Sequence, residues 1–127
     1  MNSITTGIDL VEVDRFLNLN PRIKERFFCR VFTQQELRGY DQSMQHMAGL
    51  FAAKEAAAKA LGCGIGKISW QELEILNDPN GKPELILHAH AAEAASQSGW
   101  SAWSLSISHT RNYALATVTA LVELPAS

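Results

Sequence analysis

Cysteine is scarce in this chain. Of 127 residues only Cys29 and Cys63 carry a thiol, and neither sits in a paired motif. A disulfide scaffold and a structural zinc site are therefore not expected. Basic excess is missing too. Eleven Lys and Arg stand against 13 Asp and Glu, a net charge of -2, so a protein that coats nucleic acid is not indicated. No run of roughly 18 apolar residues exists, so no helix should span a membrane. The opening MNSITTGIDLVEV lacks the basic start and long apolar stretch of a secretory signal. With 46% hydrophobic and 19% charged residues, the composition is globular. The expectation is a soluble, cytoplasmic protein, with one domain over residues 1–127 and neither nucleic acid nor membrane as partner.

No internal repeat, low-complexity segment or linker is visible. Ile4 to Val13 is short, apolar and β-branched and reads as a strand, thinned in its middle by Gly7. Residues 14–42 read as helical pieces. Pro21 after Asn20 marks a helix start, and Thr33 with Glu36 forms a capping-box pattern. Residues 43–61 form the longest expected helix, with Gly62 as its C-terminal cap. From Ala48 to Leu61 the only charges are Lys54, Glu55 and Lys59, so this helix lacks a polar face and should be buried. Its charges then require a partner or an ion. Ile68 to Leu76 and Glu84 to Leu87 read as strands joined through Asn80-Gly81, a strong hairpin signal. Residues 88–98 read as a helix.

Ala102 to Ser108 alternates, with Trp103, Leu105 and Ile107 on one face and serines on the other. Tyr113 to Leu124 also alternates, and a hairpin turned at Thr110 to Asn112 should join the two. The last strand's Tyr113, Leu115, Thr117, Thr119 and Leu121 form a second face apolar enough to need cover, which another subunit could supply.

Several residues could carry chemistry, each with a plain alternative. Asp9, within GIDLV, reads as a strand-end aspartate that meets solvent or caps a helix, or as a hard oxygen ligand for magnesium. Glu55 and Lys59, four apart, share a helical face. They form either a minor salt bridge or a site in which Asp9 and Glu55 hold one magnesium while Lys59 offsets phosphate charge. His109 falls on the apolar face by parity. It is a core or turn histidine, or a phosphate-contacting group at a pocket mouth. His88 and His90 lack a third ligand and read as structural. Gly62, Gly64 and Gly66 follow a helix, so they form a cap and turn, or let backbone approach a ligand. Between Arg15 and Arg30 five of the eleven basic residues face the single acid Glu25: a solvated face or a docking patch for an acidic protein.

Taken together, GIDLVEVDRF, FAAKEAAAKALGCGIG, NGKP and SISHTRNYA occur in an order and at separations that resemble one family over essentially the whole chain. It is the holo-[acyl-carrier-protein] synthases, the short bacterial 4′-phosphopantetheinyl transferases. The resemblance implies magnesium-dependent transfer of the 4′-phosphopantetheine arm of coenzyme A to a serine of apo acyl carrier protein. Adenosine 3′,5′-bisphosphate leaves, and the reaction serves fatty acid biosynthesis. It implies Asp9 and Glu55 as metal ligands and, with Lys59, as the catalytic set. Lys59, Gly62, Gly64, Lys82 and His109 become the coenzyme A set, and Arg15 and Arg26 the carrier-protein contacts. Asp9 is the candidate for taking the serine proton. The implied architecture is α+β, a small antiparallel sheet packed against a long central helix, in a homotrimer with sites between subunits. One departure stands out: relatives commonly carry Arg where this chain has Leu50, so one phosphate contact is lost or placed elsewhere.

Two other readings use the same residues. A magnesium-dependent hydrolase of a nucleotide diphosphate would need the carboxylates but no arginine patch. A catalytically silent carrier-binding module would need the patch alone.

Overall fold

The computed structural model describes residues 1–40 and 43–124; residues 41 and 42, at the end of the expected helical stretch, lie outside the described residues, as do residues 125–127. Strand β1 (Asn2–Glu12) leads into helices α1 (Asp14–Leu17), α2 (Pro21–Val31), α3 (Gln34–Arg38) and α4 (Met44–Leu61). A 3₁₀ turn at Trp70–Glu72 opens the hairpin of β2 (Leu73–Asn77) and β3 (Pro83–Leu87). Helix α5 (Ala89–Gln97) and strands β4 (Trp100–His109) and β5 (Tyr113–Glu123) complete the chain. The fold is α+β with two small antiparallel sheets, ordered β1-β5-β4 and β2-β3.

Local chemistry sets the helix ends. The Asn20 side chain accepts the Arg22 amide at 2.9 Å ahead of Pro21. Thr33 and Glu36 close a reciprocal capping box on α3. Gly62 ends α4 at φ 73°, a left-handed position that suits glycine. The Asp78 carboxylate accepts the amides of Asn80 and Lys82 at 2.8 and 2.9 Å and shapes the β2–β3 loop, where Gly81 takes φ 85°.

Register decides which side chains meet α4. Gly7, Asp9 and Val11 lie opposite Val118, Ala116 and Ala114, which in turn face Leu105, Ile107 and His109. These residues share the sheet face beneath α4. On α4 the alanines 48, 52, 53, 56, 57 and 60 are all buried. Such small residues let backbones approach closely. A Cβ on Gly7 would stand 2.0 Å from the Ala56 carbonyl oxygen and 2.8 Å from the Ala60 amide nitrogen. The adjacent Thr5 hydroxyl donates to the Ala60 carbonyl at 3.0 Å. The opposite face bears Ile4, Ile8, Leu10, Tyr113, Leu115 and Leu121, each 36–71% exposed, so the apolar face expected to need cover is uncovered within one chain.

Lys54 is 0% exposed and fully partnered. Its ammonium lies 2.8 Å from Glu36 Oε1 and donates to the carbonyls of Trp70 and Leu73 at 3.1 and 2.8 Å. Glu36 also accepts the amides of Thr33 and Ile75, both at 2.8 Å. Burial pulls the Lys54 ammonium below its usual pKa, opposed by the charge and hydrogen bond of Glu36. This pair ties α3 and α4 to the start of β2.

Two expected features differ. The strand expected from Ile68 begins only at Leu73, because Trp70–Glu72 coil into a 3₁₀ turn whose Glu72 carboxylate caps the Ser69 amide at 3.0 Å. Asp9 is not at a strand end. It lies inside β1, because β1 pairs with β5 from Asn2 through Glu12. No helix among the described residues is long and apolar enough to cross a membrane.

Two substitutions test this packing. Gly7→Ala forces one backbone off another and should cost about 3 kcal/mol or more in urea unfolding. Lys54→Met strands a buried carboxylate and should cost about 3–5 kcal/mol, and adding Glu36→Leu should not recover that loss, because the Thr33 and Ile75 amides then lose their acceptor.

Candidate functional site

Strand β1 and helix α4 cross at Gly7, and the residues just beyond the crossing form the candidate site. Asp9 follows Gly7 by two on the same strand face. Glu55 and Lys59 flank Ala56 on the helix that touches Gly7. The close approach therefore brings side chains from distant parts of the chain together. The Lys59 ammonium donates to Asp9 Oδ1 and to the Ile8 carbonyl, both at 3.0 Å.

The expected Glu55–Lys59 contact is thus replaced. Lys59 reaches across to β1, since Asp9 presents a charge and Ile8 a carbonyl at the same spot. Lys59 is also not buried as the alanine-rich surroundings suggested. Its side chain is 57% exposed, against 10% for Asp9, although its neighbours Ala58, Ala60 and Leu61 are buried. The lysine that the helix buries is Lys54.

Glu55 faces Asp9, and its protonated carboxyl hydrogen-bonds the Asp9 carboxylate. Burial pushes its pKa up to about 7, with the Asp9 carboxyl adding to the rise and the charges of Arg15 and Lys59 opposing it. Asp9 Oδ2 is buried and has no hydrogen-bonding partner, the one such side-chain atom among the described residues. Two crowded carboxylates with an orphaned oxygen form a hard-oxygen donor set short of a cation, and they fit a divalent ion of the magnesium type. Among the described residues no cluster of three or more His, Cys, Asp or Glu forms, so such an ion would draw its remaining ligands from water or a bound oxyanion.

Glu55 and Lys59 also line a cleft of about 330 Å³ with Gly62, Cys63, Gly64, Ile65 and Trp70. Gly62 and Gly64 thus share a cleft with Glu55 and Lys59. Ile65 and Trp70 were missed by sequence reasoning. Only the fold brings the 3₁₀ turn back over α4, where Trp70 stacks on Phe51 with ring centroids 5.0 Å apart. Arg15, on α1, lies close enough for its charge to act on Glu55, while Arg26 is exposed on α2.

His109 and Lys82 do not join this cleft within one chain. His109 lines a separate hollow of about 140 Å³ with Gln45, His46, Leu50, Asn77, Pro83 and Ile107. Lys82 sits on the β2–β3 loop beside Asp78, Glu84 and Trp103. Leu50 is buried against the His109 hollow, so its aliphatic side chain supplies no charge there. The two remaining histidines act structurally. His88 Nε2 lies 3.0 Å from Glu74 Oε1, and His90 Nδ1 lies 3.9 Å from Glu72 Oε1, so they share no ligand.

Comparison with known proteins gives a consistent result. Residues 5–118 match the model of the 4′-phosphopantetheinyl transferase superfamily. A holo-[acyl-carrier-protein] synthase of Herpetosiphon aurantiacus is 42% identical over 93% of this chain and 98% of its own length. Its counterpart in Solidesulfovibrio magneticus is 45% identical over 88% and 93%. Among solved structures, the Helicobacter pylori holo-[acyl-carrier-protein] synthase in complex with coenzyme A superposes with a TM-score of 0.81 at 32% identity. That match covers 91% of this chain and 98% of that one.

The raised pKa of Glu55 carries a stability consequence. In the metal-free protein the folded state holds this proton up to about pH 7, whereas an unfolded Glu releases it near 4.5. Stability contributed by that proton should therefore fall as pH rises through this window. Glu55→Gln should remove the slope and raise Tm at pH 8 in EDTA by about 2–4 °C after allowance for solvent screening, a gain that vanishes near pH 4.5.

Proposed function

The chain belongs to the 4′-phosphopantetheinyl transferase superfamily, and from that premise we propose that it is a holo-[acyl-carrier-protein] synthase. It transfers 4′-phosphopantetheine from coenzyme A to a serine of apo acyl carrier protein, the step that readies the carrier for fatty acid biosynthesis. The single observation that carries the site assignment is the orphaned Asp9 Oδ2 beside the crowded Glu55 carboxyl.

The serine oxygen forms a bond to the phosphorus next to the pantetheine arm. The bond from that phosphorus to the bridging diphosphate oxygen breaks, and adenosine 3′,5′-bisphosphate leaves with the electron pair. Asp9 and Glu55 would hold magnesium, which when bound offsets the charge of the diphosphate. Lys59 supplies a further positive charge at the cleft mouth. Backbone at Gly62 and Gly64 admits the donor closely because neither glycine has atoms within 4 Å of where a Cβ would be. The hydroxyl proton leaves as the new bond forms, with the Asp9 carboxylate as candidate acceptor.

We propose that a neighbouring copy brings His109 and Lys82 to the cleft lined by Glu55 and Lys59, completing the coenzyme A set. The uncovered apolar face of β1 and β5 supports that assembly, a homotrimer with sites between subunits. Arg15 and Arg26 meet the acidic carrier protein, and a cytoplasmic location agrees with a coenzyme A donor.

Incubating the protein with coenzyme A, magnesium and an apo carrier protein should add one phosphopantetheine mass to the carrier. Glu55→Ala should lower turnover by roughly two orders of magnitude or more with the circular dichroism of the fold unchanged. Reversing charge at Arg15 and Arg26 should weaken carrier labelling. A hydrolase of a small diphosphate would instead release product without carrier, and a silent binding module would leave the carrier mass unchanged.

A further inference from the structure

We propose that Lys59 is the resident counter-ion of Asp9, held in the place of a divalent cation and released when that cation binds. The freed ammonium then serves the anionic donor in the adjoining cleft. The inference rests on the reading of Asp9 and Glu55 as cation ligands.

Three observations carry it. First, the Lys59 ammonium lies 3.0 Å from Asp9 Oδ1, while Asp9 Oδ2 has no partner and Glu55 feels the charges of Arg15 and Lys59 only through space. The lysine therefore neutralises only part of the site. A divalent ion drawn to the remaining oxygens would meet a fixed positive charge on the same carboxylate, and the two must repel. Second, Lys59 is built to leave. Its side chain is 57% exposed, and its other partner is the uncharged carbonyl of Ile8. A solvent-facing ammonium on a flexible stem can swing into water and keep its hydration when it leaves the carboxylate. Lys54 on the same helix shows the contrast. It is 0% exposed, with one carboxylate and two carbonyls on its three protons, and has nowhere to go. Third, Lys59 itself lines the cleft with Glu55, Gly62 and Gly64, so an ammonium that leaves Asp9 remains where an oxyanion would enter. One side chain thus makes metal arrival and anion capture a coupled event.

The test uses the full-length, metal-free protein and Mn²⁺ alone, with free Mn²⁺ read by electron paramagnetic resonance. Lys59→Met should bind Mn²⁺ about tenfold more tightly than the unaltered chain, because no cation competes for Asp9. Arg15→Gln removes a charge that acts on Glu55, and should change the affinity by no more than about twofold. Unchanged or weaker binding by Lys59→Met overturns the proposal. So does an equal tightening by Arg15→Gln, which would make the effect a general field. Asp9→Asn separates the two levels. Loss of Mn²⁺ binding there, with Lys59→Met unchanged, removes only the role of Lys59. Retention of full affinity by Asp9→Asn removes the ligand assignment and this inference with it. A second readout needs no variant. The ¹⁵N resonance of the Lys59 ammonium should shift with Mg²⁺ at the midpoint of metal binding, and a resonance unmoved at saturation overturns the proposal.

Discussion

The backbone of β1 can lie against the backbone of α4 only where neither strand nor helix carries bulk. Gly7 meets that condition on one side and Ala56 and Ala60 on the other, with the Ala56 carbonyl oxygen occupying the space of the missing Cβ. A larger residue at position 7 would lift the helix from the sheet. Asp9, two residues on and on the same face, would then lose its reach to Glu55 and Lys59. The packing constraint and the chemical site are therefore one feature: the alanine-rich helix is small-sided for the same reason that its two functional side chains reach a strand.

Two acid–lysine pairs on α4 show how burial separates structural from chemical charge. Glu36 and Lys54 are both enclosed, and each of their polar atoms has a bonding partner, so the pair is closed to further ligands. At Asp9 the accounting is left open. One oxygen holds Lys59, the other holds nothing, and a second carboxyl crowds it. A folded chain tolerates such an arrangement where function needs it, since the repulsion that weakens the metal-free fold is the attraction that recruits a cation.

What was legible in the sequence follows the range of the interaction. Asn20-Pro21, Thr33 with Glu36, and Gly62 announce helix ends because caps act over three or four residues. Alternation in Ala102–Ser108 and Tyr113–Leu124 gave the correct inner and outer faces, because parity is a property of the strand itself. The charges of α4 were recognisable as needing partners, but not which partner each takes. Glu36 is reached only when α3 folds onto α4, and Asp9 only when β1 does. The 3₁₀ turn at Trp70–Glu72 hid for a different reason. Its residues are apolar and polar in a strand-like order, which masked the local capping box of Ser69 with Glu72, and Lys54 adds bonds to the carbonyls of Trp70 and Leu73.

The separation of His109 and Lys82 from Asp9 has a geometric cause. β5 stands between β1 and β4, and the registers place His109 opposite Ala114 while Asp9 pairs with Ala116. Within one chain α4 covers the face that both residues share, so no open cleft runs between them. In the proposed assembly a single donor molecule would touch both across a boundary between chains. The outer faces of β1 and β5 offer such a boundary, with Ile4 beside Leu121 and Leu10 beside Leu115 in an apolar strip that water covers poorly. An assembly formed through that strip would bury apolar surface and build the donor site in the same step, so that folding of the chain alone would leave the proposed enzyme incomplete.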